Sequence, residues 1–318
     1  MSRPAGVIEA TDRPAAPAVP IAGRRGRISR RTRREWLTGW LLIGPIMLYW
    51  LIFNGIPLVS VFVLAFVRWS GFVGTPSWVG WHNFQTLWRF PSYRDTFWHT
   101  LLIGGSVLIV GILVGFAIAL LLNSNVRGRG IYRTIWYLPT VVAFAITSQM
   151  WNSFIDPTQG LFDSVLRWAR QPPVIWSLSS AWMIAQVVAL ATWKGVGSTM
   201  IIFLAGLQGI DTALYEAARL DGAGRLALLR HITLPSLRPI TVFVAITGGL
   251  AALQIFEPIY LFTKGGPFGS TTVAVYRIYQ DAFQDNQYGL ACATSVVFAL
   301  FCMGFTVFLL RFFGNQLD

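Results

Sequence analysis

The stretch EAARLDGAGRLALLRHITLP, residues 216–235, lies between two long apolar runs and is longer than a connection between membrane spans needs to be. Asp211 is a favourable helix N-cap, so residues 212–220 are predicted to form a short helix that contains Glu216. The run Asp-Gly-Ala-Gly at 221–224 then ends this helix, because glycine tolerates the backbone conformations of a helix C-terminus.

A second short helix is predicted from Arg225 to about His231. Leu234 and Pro235 then break the chain, and Pro239 stands where a proline can begin the next helix without losing a hydrogen bond. Each short helix is about 12–15 Å long, so it cannot cross a bilayer, and it would be marginal alone in water. Both helices must therefore pack against another surface.

Leu214, Ala217 and Ala218 would give the first helix a flat face of small residues, which lets another backbone approach closely. The pattern leaves two interpretations open. The helices pack beneath their own bundle, or they dock onto a partner, since surface amphipathic helices are common in both settings.

The composition indicates a membrane protein. The 318 residues are 54% hydrophobic and 12% charged, whereas a soluble domain has about 25% charged residues. The mean hydropathy is +0.57. Cys292 and Cys302 stand ten helical residues apart in one apolar run, too far for a disulfide within a helix, and are interpreted as packing residues.

Six apolar runs are long enough to cross a bilayer as helices, which takes about 20 residues. The fourth contains Lys194 and the fifth contains Glu257. The predicted fold is therefore an all-α integral membrane protein with six transmembrane helices, at residues 36–67, 96–126, 134–155, 171–210, 239–263 and 286–310.

Arginine dominates the net charge of +12 and is concentrated in the first 34 residues, which are predicted to be a disordered tail; its boundary is set at residue 35. This basic tail ends against a membrane span, so it is interpreted as a topology signal with some attraction to lipid rather than as a nucleic-acid site. Because basic residues favour the cytoplasmic side, both termini and residues 216–235 are predicted to be cytoplasmic.

The spacing within residues 216–235 resembles the signature of the membrane subunits of bacterial ABC importers. In that signature Glu-Ala-Ala is followed, at fixed intervals, by Gly, Ile and Leu-Pro, as it is here in Glu216-Ala217-Ala218, Gly222, Ile232 and Leu234-Pro235. FLAGLQGI at 203–210, GIYRTIWYLPT at 130–140 and TKGGPFGSTT at 263–272 narrow the resemblance to carbohydrate-uptake permeases of the maltose and glycerol-3-phosphate group. The resemblance covers the chain from about Trp36 onward, and it is to the compact members of the group.

This resemblance implies a prokaryotic cytoplasmic-membrane permease for a sugar or sugar-like solute, with a six-span domain at 36–318 and a coupling loop at 211–235. A homologous second permease, two P-loop ATPase subunits and an extracytoplasmic substrate-binding protein would be its partners. In the family the coupling loop inserts into the ATPase subunit. Its contact residues would here be Glu216, Ala217, Ala218, Asp221 and Gly222, anchored by Ile232, Leu234 and Pro235.

The motifs of a catalytic protein are missing from the sequence. Lys194 and Lys264 are both followed by glycine rather than Ser or Thr, so neither belongs to a P-loop. No H-E-x-x-H motif occurs, and the histidines are scattered. We therefore expect no catalytic residues, no metal and no cofactor, with ATP hydrolysis on a partner subunit.

Lys194 and Glu257 are the candidates for the substrate pathway, because a charge within the membrane normally faces a partner or a water-filled cavity. Gln254, Phe256 and Tyr260 stand near Glu257 and add an amide, a flat ring and a phenol, which suit a sugar. An equally weighted alternative is that Glu257 pins a helix kink beside Pro258. A direct ion pair with Lys194 would require the lysine to reach along the membrane.

Trp151 is a further pathway candidate, although helix packing is the favoured role for it and for its polar neighbours along the third and fourth runs. These neighbours are Asn152, Thr147, Gln149, Gln186 and Thr192.

Three other classes of protein fit the sequence less well. An ion-coupled secondary transporter acting without an ATPase would show an inverted repeat and paired carboxylates at the midplane, and the sequence shows neither. A membrane-embedded enzyme would need a catalytic constellation. A membrane scaffold would leave the spacing of residues 216–235 unexplained.

Overall fold

α-Helices make up most of the chain, as the apolar runs predict. The structure is a computed structural model that describes residues 30–71, 73–124, 127–172 and 174–314. The chain divides into two compact units, residues 1–57 and 58–318.

The first unit contains helix α1 (Arg30–Trp50) and a wider helical turn, Leu51–Gly55. Because α1 begins at Arg30, residues 30–35 are helical, which differs from the predicted tail boundary at residue 35. The rest of the predicted tail, residues 1–29, lies outside the described residues. The described large apolar side chains from Trp36 to Phe53 are exposed, as expected of a surface that faces lipid or another subunit.

The second unit begins at Leu58, within helix α2 (Ile56–Leu64), and a small hairpin follows this helix. The hairpin and the helices that follow it as far as α8 are β1 (Val67–Ser70), β2 (Val73–Trp78), α3 (His82–Arg89), α4 (Pro91–Asn123), α5 (Arg129–Val141), α6 (Phe144–Phe154), α7 (Leu161–Trp168) and α8 (Ser180–Gln208). A single 3-10 turn, Trp176–Leu178, precedes α8.

The remainder of the second unit is helical but often interrupted. It comprises α9 (Thr212–Leu220), α10 (Arg225–Leu228), a wide turn (Leu229–Thr233), α11 (Leu234–Ser236), α12 (Arg238–Leu253), a wide turn (Ile259–Thr263), α13 (Ala274–Tyr279), a wide turn (Gln280–Gln284) and α14 (Tyr288–Gly314).

Four helices of the described chain are long and apolar enough to cross a membrane. They are Thr38–Leu64, Pro91–Asn123, Ser180–Gln208 and Tyr288–Phe312, and a fifth results if Arg225–Ser236 and Arg238–Leu253, bent by 61°, are taken as one span. The other two predicted spans are interrupted, at Val142–Ala143 and at Gln254–Phe256. The number of six spans therefore stays a prediction.

The hairpin is an exception to the all-α prediction. Its strands pair antiparallel, with Val67 opposite Trp78. The Asn83 amide donates hydrogen bonds to the carbonyl oxygens of Ala65 (2.8 Å) and Val67 (3.1 Å), so α3 holds the start of β1 in place. The Phe66 ring contacts the rings of Trp78 and Trp81, which join the hairpin to the start of α3.

Glycines bring the long helices into close contact, as is common in membrane bundles. A side chain at Gly115 of α4 would come within 2.7 Å of Thr199 in α8. One at Gly104 would come within 2.9 Å of the Ala252 carbonyl in α12. The buried residues of α8 form the centre of the packing, with α4 on one side and α5 on another.

The predicted break at Leu234–Pro235 is wrong. The helix continues to Ser236, and the chain bends by 61° at Leu237, before α12. In a regular helix the Pro235 ring would collide with the carbonyl of residue 231. The wide turn before it hydrogen-bonds the Leu234 amide to the Leu229 carbonyl, five residues back, which relieves that collision.

Candidate functional site

Helix α9 begins and ends where the sequence predicts. The Asp211 carboxylate accepts a hydrogen bond from the Ala213 amide (2.9 Å) and caps the helix. At the other end Gly222 has φ +81°, a conformation that favours glycine. The Gly222 amide donates to the Arg219 carbonyl (3.1 Å) and the Ala223 amide donates to the Ala218 carbonyl (2.9 Å), which together make a Schellman turn.

The predicted contact residues of this loop are mostly exposed. Glu216, Ala217, Asp221 and Gly222 are exposed, and Ala218 is half-buried. The Leu220 side chain is 90% exposed and that of Leu226 is 76% exposed. Of the predicted anchors, Leu234 is exposed, whereas Ile232 and Pro235 are half-buried.

One side-chain contact joins the two arms of the loop. The Tyr215 hydroxyl lies 3.0 Å from the Thr233 hydroxyl, and the Thr233 hydroxyl donates to the Leu228 carbonyl (3.3 Å). α9 is therefore tied to the wide turn that precedes α11.

A cavity of about 760 Å³ lies among α4, α5, α8 and α12. Most of its lining is apolar or small, which is typical of small-molecule sites. Its polar lining side chains are Thr140, Thr192, Lys194, Ser198, Thr199, Thr247, Gln254 and Glu257.

Lys194 is buried in α8 and donates to the end of α5. Its ammonium bonds the carbonyl oxygens of Pro139 (3.2 Å), Thr140 (3.3 Å) and Val142. The face of the Phe144 ring lies 4.6 Å from the same nitrogen. Because the last carbonyls of a helix have no partner within it, Lys194 satisfies the polar backbone left open where α5 ends.

The predicted pathway residues are partly brought together. Lys194, Gln254, Phe256 and Glu257 line the cavity. Tyr260 does not line it, but its ring stacks on Phe256 with centroids 5.3 Å apart. In the described chain no direct ion pair joins Lys194 to Glu257, although the two charges attract one another.

Trp151 stands apart from the cavity lining. Its indole nitrogen donates to the Gln186 side-chain oxygen (2.8 Å), and its ring contacts Phe154, Phe162 and Trp193. Of its polar neighbours, Thr192 lines the cavity, Thr147 donates to the Phe144 carbonyl (3.1 Å), Gln149 is exposed and Asn152 is half-buried.

A buried polar cluster joins the start of α4 to the turn after α13. The Tyr93 hydroxyl lies 3.1 Å from both carboxylate oxygens of Asp281 and accepts a hydrogen bond from Arg277 (3.0 Å). The Arg277 Nε atom lies 2.9 Å from Asp281. Burial raises the pKa of Asp281 to about 6, against the opposing effects of Arg277 and Tyr93.

Sequence reasoning missed two of these features. Pro139 within an apolar run signalled the end of α5, and hence a set of carbonyls in need of a donor. Arg277 and Asp281 stand four residues apart, the spacing of a helical ion pair, but the pattern does not reveal that Tyr93 closes over them.

This fold and site define a multi-pass membrane protein with a ligand-sized cavity among its helices. Residues 108–318 match the family described as the binding-protein-dependent transport system inner membrane component. The chain belongs to this family, as a permease of the carbohydrate-type ABC importers that the sequence resembles.

Several relatives are similar over most of the chain. The trehalose/maltose transport system permease protein MalF of Thermococcus litoralis is 30% identical, over 89% of this chain and 96% of that protein. The probable ABC transporter permease protein YesP of Bacillus subtilis is 31% identical, over 85% and 88%. The sn-glycerol-3-phosphate transport system permease protein UgpA of Pectobacterium atrosepticum is 30% identical, over 90% and 97%.

Solved structures share the fold. A chain of a bacterial ABC transporter involved in the import of the acidic polysaccharide alginate superposes with a TM-score of 0.80 at 26% identity, covering 91% of this chain and 99% of that one. A second structure of the bacterial alginate transporter, in complex with an alginate pentasaccharide-bound periplasmic protein, gives a TM-score of 0.78.

Proposed function

We propose that this chain forms half of the translocation pathway of an ATP-driven importer for a sugar or sugar-like solute. A homologous permease would supply the other half, two P-loop ATPase subunits would bind the loop at 211–235, and an extracytoplasmic binding protein would deliver the solute. The carrying observation is the exposed, rigidly capped helix α9 in a chain that belongs to this permease family.

The surface of the loop supports docking. A 90%-exposed Leu220 and a 76%-exposed Leu226 are apolar surface that a partner would cover. The exposed Ala217 offers a partner close access to the α9 backbone, and the exposed Glu216 offers a charge. The Asp211 cap and the turn at Gly222 hold α9 in shape before any partner binds, which lowers the entropic cost of docking.

The interrupted helices support the six-span topology. α5 with α6, and α12 with residues 257–263, would each cross the bilayer as a broken helix. Irregular backbone is tolerated at membrane depth where it is buried in protein or lines a cavity. At the first interruption, Lys194 donates hydrogen bonds to the open backbone carbonyls. At the second interruption, Gln254 and Phe256 line the cavity.

The chain itself would not hydrolyse ATP. Closure of the ATPase subunits would move α9, and the bend at Leu237 would pass that movement to α12, which lines the cavity. Both termini and the loop would face the cytoplasm, in accord with the concentration of arginine there.

Co-purification tests the proposal. The tagged chain, extracted from its host membrane in mild detergent, should carry a P-loop ATPase that mass spectrometry identifies. Ala217→Trp should remove that ATPase, because the bulky ring blocks the exposed face of α9. Uptake that persists without any ATPase would instead favour an ion-coupled carrier.

Ala169→Trp is the matched control. Ala169 is also exposed but follows α7, on the opposite side of the proposed topology. This variant should retain the ATPase. Equal retention of the ATPase by both variants would remove the docking role of α9.

A further inference from the structure

The two charged side chains that line the cavity differ in how accessible they are to a ligand. Among the described residues that line it, Lys194 and Glu257 carry the charges. The Lys194 side chain is 8% exposed, whereas that of Glu257 is exposed. A ligand in the cavity therefore meets a carboxylate more readily than an ammonium.

The donors of Lys194 are already used. An ammonium has three N–H groups, and this one has three carbonyl acceptors, at Pro139, Thr140 and Val142. Turning to an anionic ligand would leave those carbonyls without their donor within the membrane, where an unsatisfied backbone group is costly. Lys194 thus serves the backbone and is not free to bind a ligand anion.

Glu257 is in the opposite situation. No hydrogen bond to it is found within the described chain, and Lys194 attracts it without a direct ion pair. A carboxylate in this setting accepts hydrogen bonds from hydroxyl groups and repels a second carboxylate or a phosphate. The half-buried Phe256 ring beside it adds an apolar face.

From this arrangement we infer that the cavity takes an uncharged sugar and discriminates against sugar acids and sugar phosphates. The inference rests on the proposed function and narrows its substrate class. The inferred substrate differs in charge from the cargo of the similar proteins described as importing alginate or glycerol-3-phosphate, which is anionic.

The test measures binding to the complete transporter in nanodiscs, with the binding protein left out so that its own selectivity does not contribute. Equilibrium dialysis uses three matched disaccharide pairs with glucose, galactose and mannose skeletons, each as the neutral sugar and as the uronic acid. At least one neutral disaccharide should bind, and in every such pair at least tenfold more tightly than its uronic acid. Tighter binding of an acid, or no binding of any neutral member, overturns the inference.

Two variants test whether the charge of Glu257 causes the discrimination against acidic sugars. Glu257→Gln keeps the shape of the side chain and should strengthen binding of the uronic acid. The ratio of the dissociation constants of the acid and the neutral sugar should then fall to about threefold or less. Asp285→Asn removes another exposed carboxylate that does not line the cavity, and should keep the wild-type ratio. An unchanged ratio in Glu257→Gln overturns the inference.

The binding protein, loaded with each of the same disaccharides, is then added to these nanodiscs, and the stimulation of ATP hydrolysis is measured. If hydrolysis is coupled but the acids bind as well as the neutral sugars, the substrate class is wrong and the proposed function stands. If hydrolysis is not coupled, the proposed function itself fails.

Discussion

The Lys194 ammonium lies 3.2 Å from the carbonyl oxygen of Pro139, two residues before α5 ends. The contact is reciprocated, because the Thr140 hydroxyl donates to the Lys194 carbonyl (2.9 Å). A charged residue in the middle of the apolar helix α8 thus provides hydrogen bonds to the backbone at the C-terminal end of α5.

Replacing Lys194 by methionine should destabilise the protein. The change leaves three carbonyls without their charged donor, and we expect a loss of at least about 3 kcal/mol, because hydrogen bonds to charged groups contribute about 1.5–3 kcal/mol each and removal of a buried charge offsets part of their sum. Thermal unfolding in detergent measures the loss. Lys264→Met removes an exposed lysine and should change stability by less than about 0.5 kcal/mol. Equal midpoints for the two variants would contradict the role of Lys194.

The close contact between α5 and α8 depends on Gly197. A side chain there would come within 2.5 Å of the Trp136 carbonyl oxygen, whereas one at Gly195, on the same helix, would meet nothing within 4 Å. Gly197→Ala should therefore lower stability by about 1–3 kcal/mol, and Gly195→Ala should leave it nearly unchanged. Thermal unfolding of the two variants, compared with wild type, checks this; a larger loss at Gly195 would show that the helices approach elsewhere.

Gly222 and Gly224 provide a matched pair for the loop. Neither has a neighbour within 4 Å of an added side chain, but Gly222 has φ +81° whereas Gly224 has φ −75°. Gly222→Ala should strain the turn by about 1 kcal/mol. We expect it to reduce uptake per ATP hydrolysed, with normal membrane insertion, while Gly224→Ala behaves as wild type. Identical coupling ratios in both variants would show that the turn conformation does not matter.

Asp281 should make stability depend on pH. Its pKa is raised from the ordinary value of 3.8 to about 6, so the folded state holds the proton more tightly than the unfolded state does. Its stabilising contribution is complete below about pH 4 and is lost as the pH rises through about 6. At 1.36 kcal/mol per unit of pKa, the loss is about 3 kcal/mol.

Asp281→Asn is the matched variant for that effect, because it cannot titrate. Unfolding midpoints measured from pH 4 to pH 7.5 should fall for the wild type relative to the variant. A constant difference across that range would mean that Asp281 is ionised throughout.

Local signals predicted the bounds of α9 well. Asp211 caps α9 through its side chain, whereas Gly222 and Pro239 act through their own backbone, so local sequence shows where α9 begins and ends and where α12 begins. The break at Pro235 was misplaced because a wide turn before a proline leaves no mark in the pattern of residues.

The cavity was harder to predict. Glu257, Gln254 and Phe256 were found because they are polar or aromatic beside a proline in an apolar run. Thr140, Ser198 and Thr199 were missed because they line the cavity only through the packing of α5 and α8. The engagement of Lys194 with α5 depends on a contact between residues more than 50 positions apart, which no local pattern encodes.

The elbow at Leu237 has a mechanical consequence. Its side chain is 1% exposed, and this single residue separates the last helical turn before the bend from α12. With no flexible linker to absorb displacement, a force applied to the segment from α9 to α11 would reach α12 as torque. Inserting a few flexible residues at Leu237 would uncouple the movement of α11 from that of α12 and leave both helices intact.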